Sequence, residues 1–343
     1  MSRSSLLLPG AALAAVLGLG CGDQLPPTAP ASPPAAVGKQ LTFTATALGD
    51  ADGVAAGINE AGQVAGTQSI AGGRAFLWYK GTMTELATFP GLHGSSATGI
   101  NNGGQVVGIS PTSGNAGSGF PHAVVWDRGV ITDLGTLPGA VYSLSSAYAI
   151  NERRQIVGYS SAPVDFGNDH AIVWKDGKIT DLGAPPQGAS YARDINNRGE
   201  IVGWSQAFDA YPRATLWANS ATTDLGLLPG AVYSYAYSIN DRGQVVGVSG
   251  QPAPDAWEHA VLWDKGVLTD LGTLPGGSQS FAFDINAAGE VAGMSNVGGG
   301  EFHAVIWRRG IIHDLGIGQA YGINNRGQVV GIRGSRPTLW SVE

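Results

Sequence analysis

The chain has few charged residues and almost no cysteine. Only 13% of its residues are Asp, Glu, Lys or Arg, and the formal net charge is −7. No run rich in Lys and Arg occurs. Because phosphate groups are bound by basic patches, this excludes nucleic acid as an expected partner and disfavours an anionic membrane surface. The single cysteine, Cys21, excludes an intrachain disulfide and any metal site built from cysteines.

Short catalytic motifs are also missing. The sequence contains no Gly-x-Ser-x-Gly elbow, no His-Glu-x-x-His pair, no phosphate-binding loop and no EF-hand loop. It therefore predicts none of the hydrolase, metalloprotease, nucleotide or calcium chemistry of those motifs, and no cofactor or metal is expected. What the chain does contain is 53 glycines and nine tryptophans, which favours an all-β fold of short strands and tight turns.

The N-terminal segment differs from the rest of the chain. Arg3 precedes an apolar stretch from Leu6 to Leu19 that is too short to span a membrane, which predicts a signal peptide over residues 1–20. Gly20-Cys21 resembles a bacterial lipoprotein cleavage box. That resemblance implies lipidation of Cys21 and a place in the bacterial cell envelope, with plain secretion as the alternative. Residues 21–40 are rich in proline and are predicted to form an extended tether.

A repeat covers residues 41–343. The dipeptide Ile-Asn opens each unit of roughly 44 residues and recurs with its asparagine at Asn59, Asn101, Asn151, Asn196, Asn240, Asn286 and Asn324. Side chains that recur in every unit are expected to hold the fold rather than to carry out chemistry. The repeat therefore predicts one domain of seven similar units.

Each unit is predicted to contain four short strands. The first pair is joined by Asn-x-x-Gly, which suits a type I turn that ends in a left-handed glycine. Arg154 takes the place of that glycine in the third unit, so we expect this turn to be strained or different. The second pair is joined by a turn that ends in glycine, except in the fourth unit, where Ser220 stands.

The two ends of the repeat region predict how the units are arranged. The seventh unit has three strands and stops after Trp340, whereas residues 41–49 resemble a fourth strand that precedes the first unit. An open solenoid gives no reason for such a division and leaves strand edges exposed. We therefore predict a seven-bladed β-propeller in which an N-terminal strand completes the last blade.

Several motifs also resemble a known family. HAVVWDRG, HAVLWDKG and INNRGQVVG resemble the HAF-repeat family of bacterial extracellular proteins over essentially all of residues 41–343. The resemblance implies secretion and a repeat fold. It implies no established activity.

Six units carry a basic residue at the start of the third strand and an acid eleven residues later. The pairs are His122 and Asp133, His170 and Asp181, His259 and Asp270, His303 and Asp314, Arg74 and Glu85, and Arg213 and Asp224. If the turn between them has two residues, we expect the pair directly across the hairpin, and a bulged turn to shift it by one. Six copies around a ring cannot converge on one substrate, so we interpret them as structural hydrogen bonds rather than acid–base pairs or metal ligands.

Both variable connections of each unit are predicted to lie at one end of the propeller, where ligand-binding loops concentrate. Aromatic residues are frequent there, and the alternative to ligand stacking is that they pack the loops onto the blades. The ligand-binding candidates are Trp257, Tyr233, Tyr142, Phe120, Tyr211 and Phe281. The tryptophan that ends each third strand is expected in the core, as is Trp204.

The leading hypothesis is a non-enzymatic, envelope-tethered or extracellular propeller that binds a polysaccharide or a protein. The alternative is a glycosidase or lyase that acts on an extracellular polymer with carboxylates of the variable loops. Its candidate carboxylates are Asp165, Asp169, Asp209 and Asp255.

Overall fold

The computed structural model describes residues 41–70, 72–112, 120–140, 142–163, 168–252 and 256–342. These residues form 28 strands in seven antiparallel sheets of four strands each. The protein is a seven-bladed β-propeller, as the repeat predicts. No helix in this part of the chain is long and apolar enough to cross a membrane. The predicted signal peptide, the predicted tether and Cys21 lie outside the described residues.

In each blade the first strand lies next to the propeller axis and the fourth lies outermost. The first strands are β2 (Gly53–Ile58), β6 (Ser96–Ile100), β10 (Ser145–Ile150), β14 (Ala189–Ile195), β18 (Tyr233–Ile239), β22 (Ser280–Ile285) and β26 (Gln319–Ile323). The second strands are β3 (Val64–Gln68), β7 (Val106–Ser110), β11 (Ile156–Ser161), β15 (Ile201–Gln206), β19 (Val245–Gln251), β23 (Val291–Asn296) and β27 (Val329–Arg333).

The outer two strands of each blade form the second hairpin. The third strands are β4 (Arg74–Tyr79), β8 (His122–Asp127), β12 (Asp169–Lys175), β16 (Arg213–Ala218), β20 (Trp257–Asp264), β24 (Phe302–Arg308) and β28 (Arg336–Val342). The fourth strands are β5 (Thr82–Glu85), β9 (Val130–Asp133), β13 (Lys178–Asp181), β17 (Ala221–Asp224), β21 (Val267–Asp270), β25 (Ile311–Ile317) and, for the seventh blade, β1 (Phe43–Ala47).

The N-terminal strand closes the ring. Strand β1 pairs antiparallel with β28, with Phe43 opposite Val342 and Ala47 opposite Thr338. The backbone N–H of Leu48 then donates to Pro337 O at 2.9 Å, and the Leu48 side chain is buried against the first blade. The predicted closure is therefore confirmed.

The seven asparagines of the Ile-Asn dipeptides tie neighbouring blades together. In each blade the side-chain Nδ2 donates to the backbone carbonyl of the corresponding asparagine in the next blade, at 3.0–3.2 Å. The last of these bonds runs from Asn324 to Asn59 O and completes a closed ring. The Oδ1 of Asn59 accepts from the backbone N–H groups of Ala61 and Gln63 in its own turn. The interpretation of these residues as structural is confirmed, and they also join the blades.

Both types of turn lie at the same end of the propeller, which we call the uniform end. In the Asn-x-x-Gly turns the glycine has a positive φ, such as 83° at Gly62, and its N–H donates to the asparagine carbonyl. Arg154 makes the same bond at a φ of 59°, so the third turn keeps its form at the cost of left-handed backbone in a residue with a Cβ. The outer turns have positive φ at both central residues, including Asn219 and Ser220.

The tryptophans that end the third strands pack between blades. Six of them are buried: Trp126, Trp174, Trp217, Trp263, Trp307 and Trp340. Trp78 is half-buried and packs on the cluster around Leu48. Small and branched side chains of the second strands, such as Val157 and Val202, fill the space between adjacent sheets. The expectation of a core role for these tryptophans is confirmed.

All six predicted basic–acidic pairs form, but with a register that differs from the expectation. The two-residue turn places Asp127 opposite Val130, so Asp133 lies opposite Val124, two residues along from His122. The expectation of a direct or one-residue register was wrong, because this turn makes the pair diagonal. A diagonal neighbour remains within reach of these side chains. The distances between the paired atoms are 2.7–2.9 Å.

A β-bulge interrupts every first strand at the same place. In the pattern Ala-x-x-Ile-Asn the pairing shifts across the first x, as between Ala147 and Ala149 and between Ala192 and Asp194. A bulge leaves one residue outside the ladder and changes where its side chain points. This repeated irregularity decides which side chains line the propeller axis.

Candidate functional site

Two cavities lie along the axis. One, of about 240 Å³, is at the uniform end and is lined by the Ile-Asn turns of all seven blades. The other, of about 330 Å³, lies toward the opposite, variable end and is lined mainly by the first strands ahead of those turns. We call this second cavity the axial funnel. Its volume is within the range of small-molecule sites.

The bulged residues form the wall of the axial funnel and differ from blade to blade. In chain order they are Ala56, Thr98, Tyr148, Arg193, Tyr237, Phe283 and Tyr321. The first two blades thus contribute small side chains, and the following five contribute aromatic rings and one guanidinium. The funnel is asymmetric, with an open side and a side built of rings.

The rings continue outward as one connected surface, which we call the aromatic arc. Consecutive ring centroids lie 4.2–6.3 Å apart, distances typical of interacting aromatic pairs. The arc comprises Tyr148, Tyr159, Tyr191, Trp204, Tyr235, Tyr237, Phe283 and Tyr321. Tyr191 and Trp204 are stacked at 4.2 Å. Burial raises the pKa of Tyr235 and Tyr321 to about 12, so both phenols are neutral and keep their protons at physiological pH.

Arg193 is the cation of the funnel wall. Its guanidinium carbon lies 4.0 Å from the ring centroid of Tyr148 and 5.8 Å from that of Tyr237. Stacking of a guanidinium on an aromatic face is favourable and leaves its N–H edge available. The funnel therefore offers a positive charge held in place by rings.

Two half-buried carboxylates, those of Asp194 and Asp284, meet at the base of the funnel. Ser238 Oγ lies 2.8 Å from Asp194 Oδ2 and 2.9 Å from Asp284 Oδ1. Asp194 Oδ2 also accepts the N–H of Ile239 in the next blade, and Asp284 Oδ2 accepts that of Ile323 in the seventh blade. Each aspartate thus joins its blade to the following one, in addition to facing the cavity.

The aspartate pair takes up a proton more readily than two exposed carboxylates do. A serine hydroxyl donates only one hydrogen bond, so the second contact of Ser238 is a hydrogen bond only when a carboxyl group of the pair is protonated. Burial, together with the neighbouring charge of Asp194, raises the pKa of Asp284 to about 6 against the lowering effect of the Ile323 N–H. Burial likewise raises the pKa of Asp194.

Other acids of the funnel rim are engaged by tyrosines. The hydroxyl of Tyr233 donates to Glu258 at 2.6 Å, and that of Tyr191 donates to Asp169 at 2.8 Å. Burial raises the pKa of Glu258 and Asp169, although these hydrogen bonds oppose it. Both carboxylates therefore act chiefly to position rings of the rim.

The structure places some of the predicted ligand-binding aromatic residues away from the funnel. Trp257 is only 3% exposed and packs in the core between the fourth and fifth blades. The expectation of an exposed ring at this position was wrong, because the residue opens strand β20 and points into the interface. Trp204, expected in the core, is half-buried and belongs to the aromatic arc.

Two other candidates reach the arc and three do not. Tyr233 contacts Tyr235 at 5.6 Å, and Phe281 contacts Phe283 at 6.2 Å. Phe120 and Tyr142 are exposed and contact each other at 5.5 Å, away from the funnel lining. Tyr211 is exposed and is not among the funnel residues.

Of the four carboxylates of the alternative enzymatic hypothesis, the described residues include two, and these two have different surroundings. Asp165 and Asp255 lie outside the described residues, Asp209 is exposed, and Asp169 is bonded to Tyr191. Among the described residues, no group of three His, Cys, Asp or Glu side chains is arranged to hold a metal ion. The carboxylates that do meet, Asp194 and Asp284, stand in first strands rather than in variable loops.

A sequence signal for the funnel exists within the repeat itself. The alanine and the Ile-Asn of the Ala-x-x-Ile-Asn pattern are constant, whereas the two residues between them change in nearly every unit. Variation at fixed positions of a repeat indicates a surface that is not used for packing. Sequence reasoning missed it because it searched the loops between strands and not the strands themselves.

Comparison with known proteins supports the fold alone. No family model and no curated protein matches the chain. Among solved structures, virginiamycin B lyase from Staphylococcus aureus is 14% identical with a TM-score of 0.55, over 88% of this chain and 100% of that one.

Two further solved structures show the same kind of likeness. The β-propeller domain of the Trilobed protease from Pyrococcus furiosus, described as having an open velcro topology, is 11% identical over 75% of this chain and 82% of that one, with a TM-score of 0.52. Acylaminoacyl peptidase from Pyrococcus horikoshii is 12% identical over 84% of this chain and 50% of that one, with a TM-score of 0.51. At such identities, this protein is shown to share the β-propeller fold with them.

Proposed function

We propose that this protein is a non-enzymatic binding propeller that takes an extracellular glycan into the axial funnel. The observation that carries the proposal is the aromatic arc, which presents ring faces on one side of a cavity of about 330 Å³. Sugar rings stack on aromatic faces, and polar groups between the rings orient them. The small residues of the first two blades leave room for the rest of a chain to enter.

The sequence adds a location to this proposal. The predicted signal peptide and the lipoprotein-like box at Cys21 support a protein held at the bacterial cell envelope, with secretion as the alternative. The predicted tether over residues 21–40 is rich in proline, and such a composition favours an extended spacer between the propeller and the membrane. The assignment to the HAF-repeat family stays a prediction and agrees with such a location.

Binding is tested by calorimetry with defined oligosaccharides. The probes are cellohexaose, xylohexaose, chitohexaose and hexagalacturonic acid, and the variants are Tyr237→Ala and Phe283→Ala. We expect at least one probe to bind and each variant to weaken its binding about two- to tenfold, because loss of a stacked ring costs roughly 0.5–1.5 kcal/mol.

Phe208→Ala is the matched control, since Phe208 is 69% exposed at the same end and lies outside the funnel lining. It should leave binding unchanged. Binding that depends on Phe208 and not on Tyr237 would place the site elsewhere. A protein partner captured by the funnel, with no glycan bound, would replace the ligand class proposed here.

A second function, cleavage of an extracellular polysaccharide, is favoured by one observation. Asp194 and Asp284 meet through Ser238 at a cavity, and burial raises the pKa of both, a pattern that also occurs in acid–base catalysis. Against it, backbone N–H groups already occupy oxygens of both carboxylates. The discriminating assay is the release of new reducing ends or unsaturated products from the bound probe, which we expect to be absent from both wild type and Asp284→Asn.

A further inference from the structure

Arg193 has unused hydrogen-bonding capacity. Its guanidinium is stacked on Tyr148 and faces the axial funnel, and no described residue accepts a hydrogen bond from it or lies in an ion pair with it. A guanidinium carries five N–H donors in a planar fork. These donors therefore point into a space that solvent or a ligand fills.

The neighbouring acids do not supply the missing partner. Asp194, the next residue in the chain, directs its oxygens to the backbone N–H groups of Ile195 and Ile239 and to Ser238. Asp284 is bonded to Ser238 and Ile323, and Glu258 to Tyr233. These carboxylates are thus hydrogen-bonded by other neighbours. Asp194 interacts with Arg193 through the attraction of their charges, while the N–H donors of Arg193 are left open.

The local charge is less negative than the count of acids indicates. Burial raises the pKa of Asp194, Asp284 and Glu258, so these groups hold protons more readily than exposed acids do. A guanidinium in such a partly buried place attracts an anion more strongly than it does in water. An anionic group that enters the funnel therefore meets one fixed cation.

We propose that the ligand of the axial funnel bears a carboxylate, as in a glycan of uronic acids, and that the carboxylate forms a forked pair of hydrogen bonds with Arg193. This inference rests on the proposed function and names the substrate class. Arginine matches a carboxylate with two parallel N–H···O bonds, whereas lysine provides a point charge. Tyr148 on one side and Tyr237 on the other fix the plane of the fork.

The geometry also explains why the cation is an arginine beside rings. A uronic acid presents a carboxylate at the edge of its sugar ring, so the group that stacks and the group that carries the charge are joined. In the funnel, Tyr237 and Phe283 lie 5.7 Å apart and continue the wall from Arg193. A ring stacked there brings its carboxylate toward the guanidinium.

The test compares two probes that differ in charge alone. Binding of trigalacturonic acid and of its trimethyl ester is measured by calorimetry on wild type, Arg193→Gln and Arg193→Lys. We expect wild type to bind the acid about tenfold or more tightly than the ester, because only the acid offers Arg193 a charged acceptor. Arg193→Gln should remove that difference, and Arg193→Lys should keep part of it.

Arg153→Gln is the matched control, because Arg153 is exposed at the uniform end and its loss changes the net charge equally. It should retain the preference for the acid, and thermal unfolding confirms that each variant is folded. Equal binding of the two probes to wild type, sensitive to Tyr237→Ala, would overturn this inference and leave the proposed function standing. If the galacturonate probes do not bind and a neutral glycan does, this inference is likewise overturned and the proposed function still stands. Failure of every glycan would overturn both.

Discussion

Left-handed backbone in this protein falls mainly on glycine, and the exceptions lie in turns that the repeat forces into one shape. Arg154 has a φ of 59° in the position that glycine fills in the other six blades. At the same scale, Asp194 and Asp284 take half-buried places that hold glycine, alanine or serine in the other five blades. Single side chains thus depart from the repeat at a structural cost.

Substitution of Arg154 by glycine should stabilise the protein. The turn already has the geometry that glycine adopts without strain, and relief of a left-handed residue outweighs the greater freedom of glycine in the unfolded chain by about 0.5–1 kcal/mol. The midpoint of denaturant unfolding measures the change. Arg153→Gly, one position earlier, is the control and should destabilise; equal effects of the two would contradict the argument.

The aspartate pair predicts a pH dependence of stability. Because burial raises the pKa of Asp284 to about 6, the folded state binds more protons than the unfolded state between pH ~4 and ~6. Its contribution is therefore fully present below the unfolded pKa and is lost as the pH rises through the folded pKa. Relative to wild type, Asp284→Asn should be more stable at pH 7.5 than at pH 4.5. A stability difference between the two proteins that stays constant over this range, measured by thermal unfolding, would contradict it.

At the scale of elements, the first strand of each blade has two tasks. Its end, the Ile-Asn turn, joins a ring of asparagine bonds, and its middle, the bulge, directs a variable side chain to the axis. A second ring lies outside the first, in which the residue after each asparagine donates its N–H to the corresponding side chain of the next blade. Ala287 has no acceptor and interrupts this second ring.

Ala287→Asn should complete the second ring. The new Oδ1 accepts the N–H of Asp241, as Asn102 and Asn325 accept those of their neighbours. One exposed hydrogen bond contributes about 0.5–1 kcal/mol, which thermal unfolding detects. Ala288→Asn places the same side chain one position further along the turn and should give no such gain. If both variants behave alike, the second ring is not a source of stability.

The elements show why the sequence predicted the scaffold and missed the site. Strand alternation, the Asn-x-x-Gly turns and the two-residue outer turns follow from local rules of the backbone. The order of the strands about the axis does not follow from these rules, since either the first or the fourth strand of a blade could lie next to the axis. The bulge adds a second obstacle, because it breaks the period of two that tells which side chains share a face. The positions of Arg193 and Tyr237 in the wall of the funnel were therefore not predicted, because the repeat pattern was interpreted only from its constant residues.

At the scale of the whole molecule, closure of the propeller depends on one strand, β1, that lies at the opposite end of the sequence from the other three strands of its blade. The seventh sheet has the order β1, β28, β27, β26, so its outermost strand comes from the start of the domain. Phe43 and Ala45 pack against the core of this blade, and Leu48 packs against the first. The sequence predicted this division of the last unit, because the three strand patterns at one end of the repeat region and the one at the other end together make a complete blade.

Deletion of residues 41–49 should therefore lower the free energy of unfolding by several kcal/mol, on the order of the margin of a small protein. Leu48→Ala tests the same closure with a smaller change and should lower the free energy of unfolding by about 2–3 kcal/mol, since Leu48 is buried. Thr46→Ala, at an exposed site of the same strand, is the control and should cost little. Urea unfolding gives all three values, and an unchanged midpoint for the deletion would reject closure by this strand.

The pairing of β1 with β28 also joins residues from the two ends of the propeller sequence. A ribosome makes Phe43 before any other strand residue of the propeller and Val342 after nearly all of them, yet these two lie opposite each other. Until the last strand is made, the first has an open edge, and open edges invite pairing with other chains. Closure of the ring therefore needs both β1 and β28, and a chain that lacks β28 leaves β1 without its partner strand.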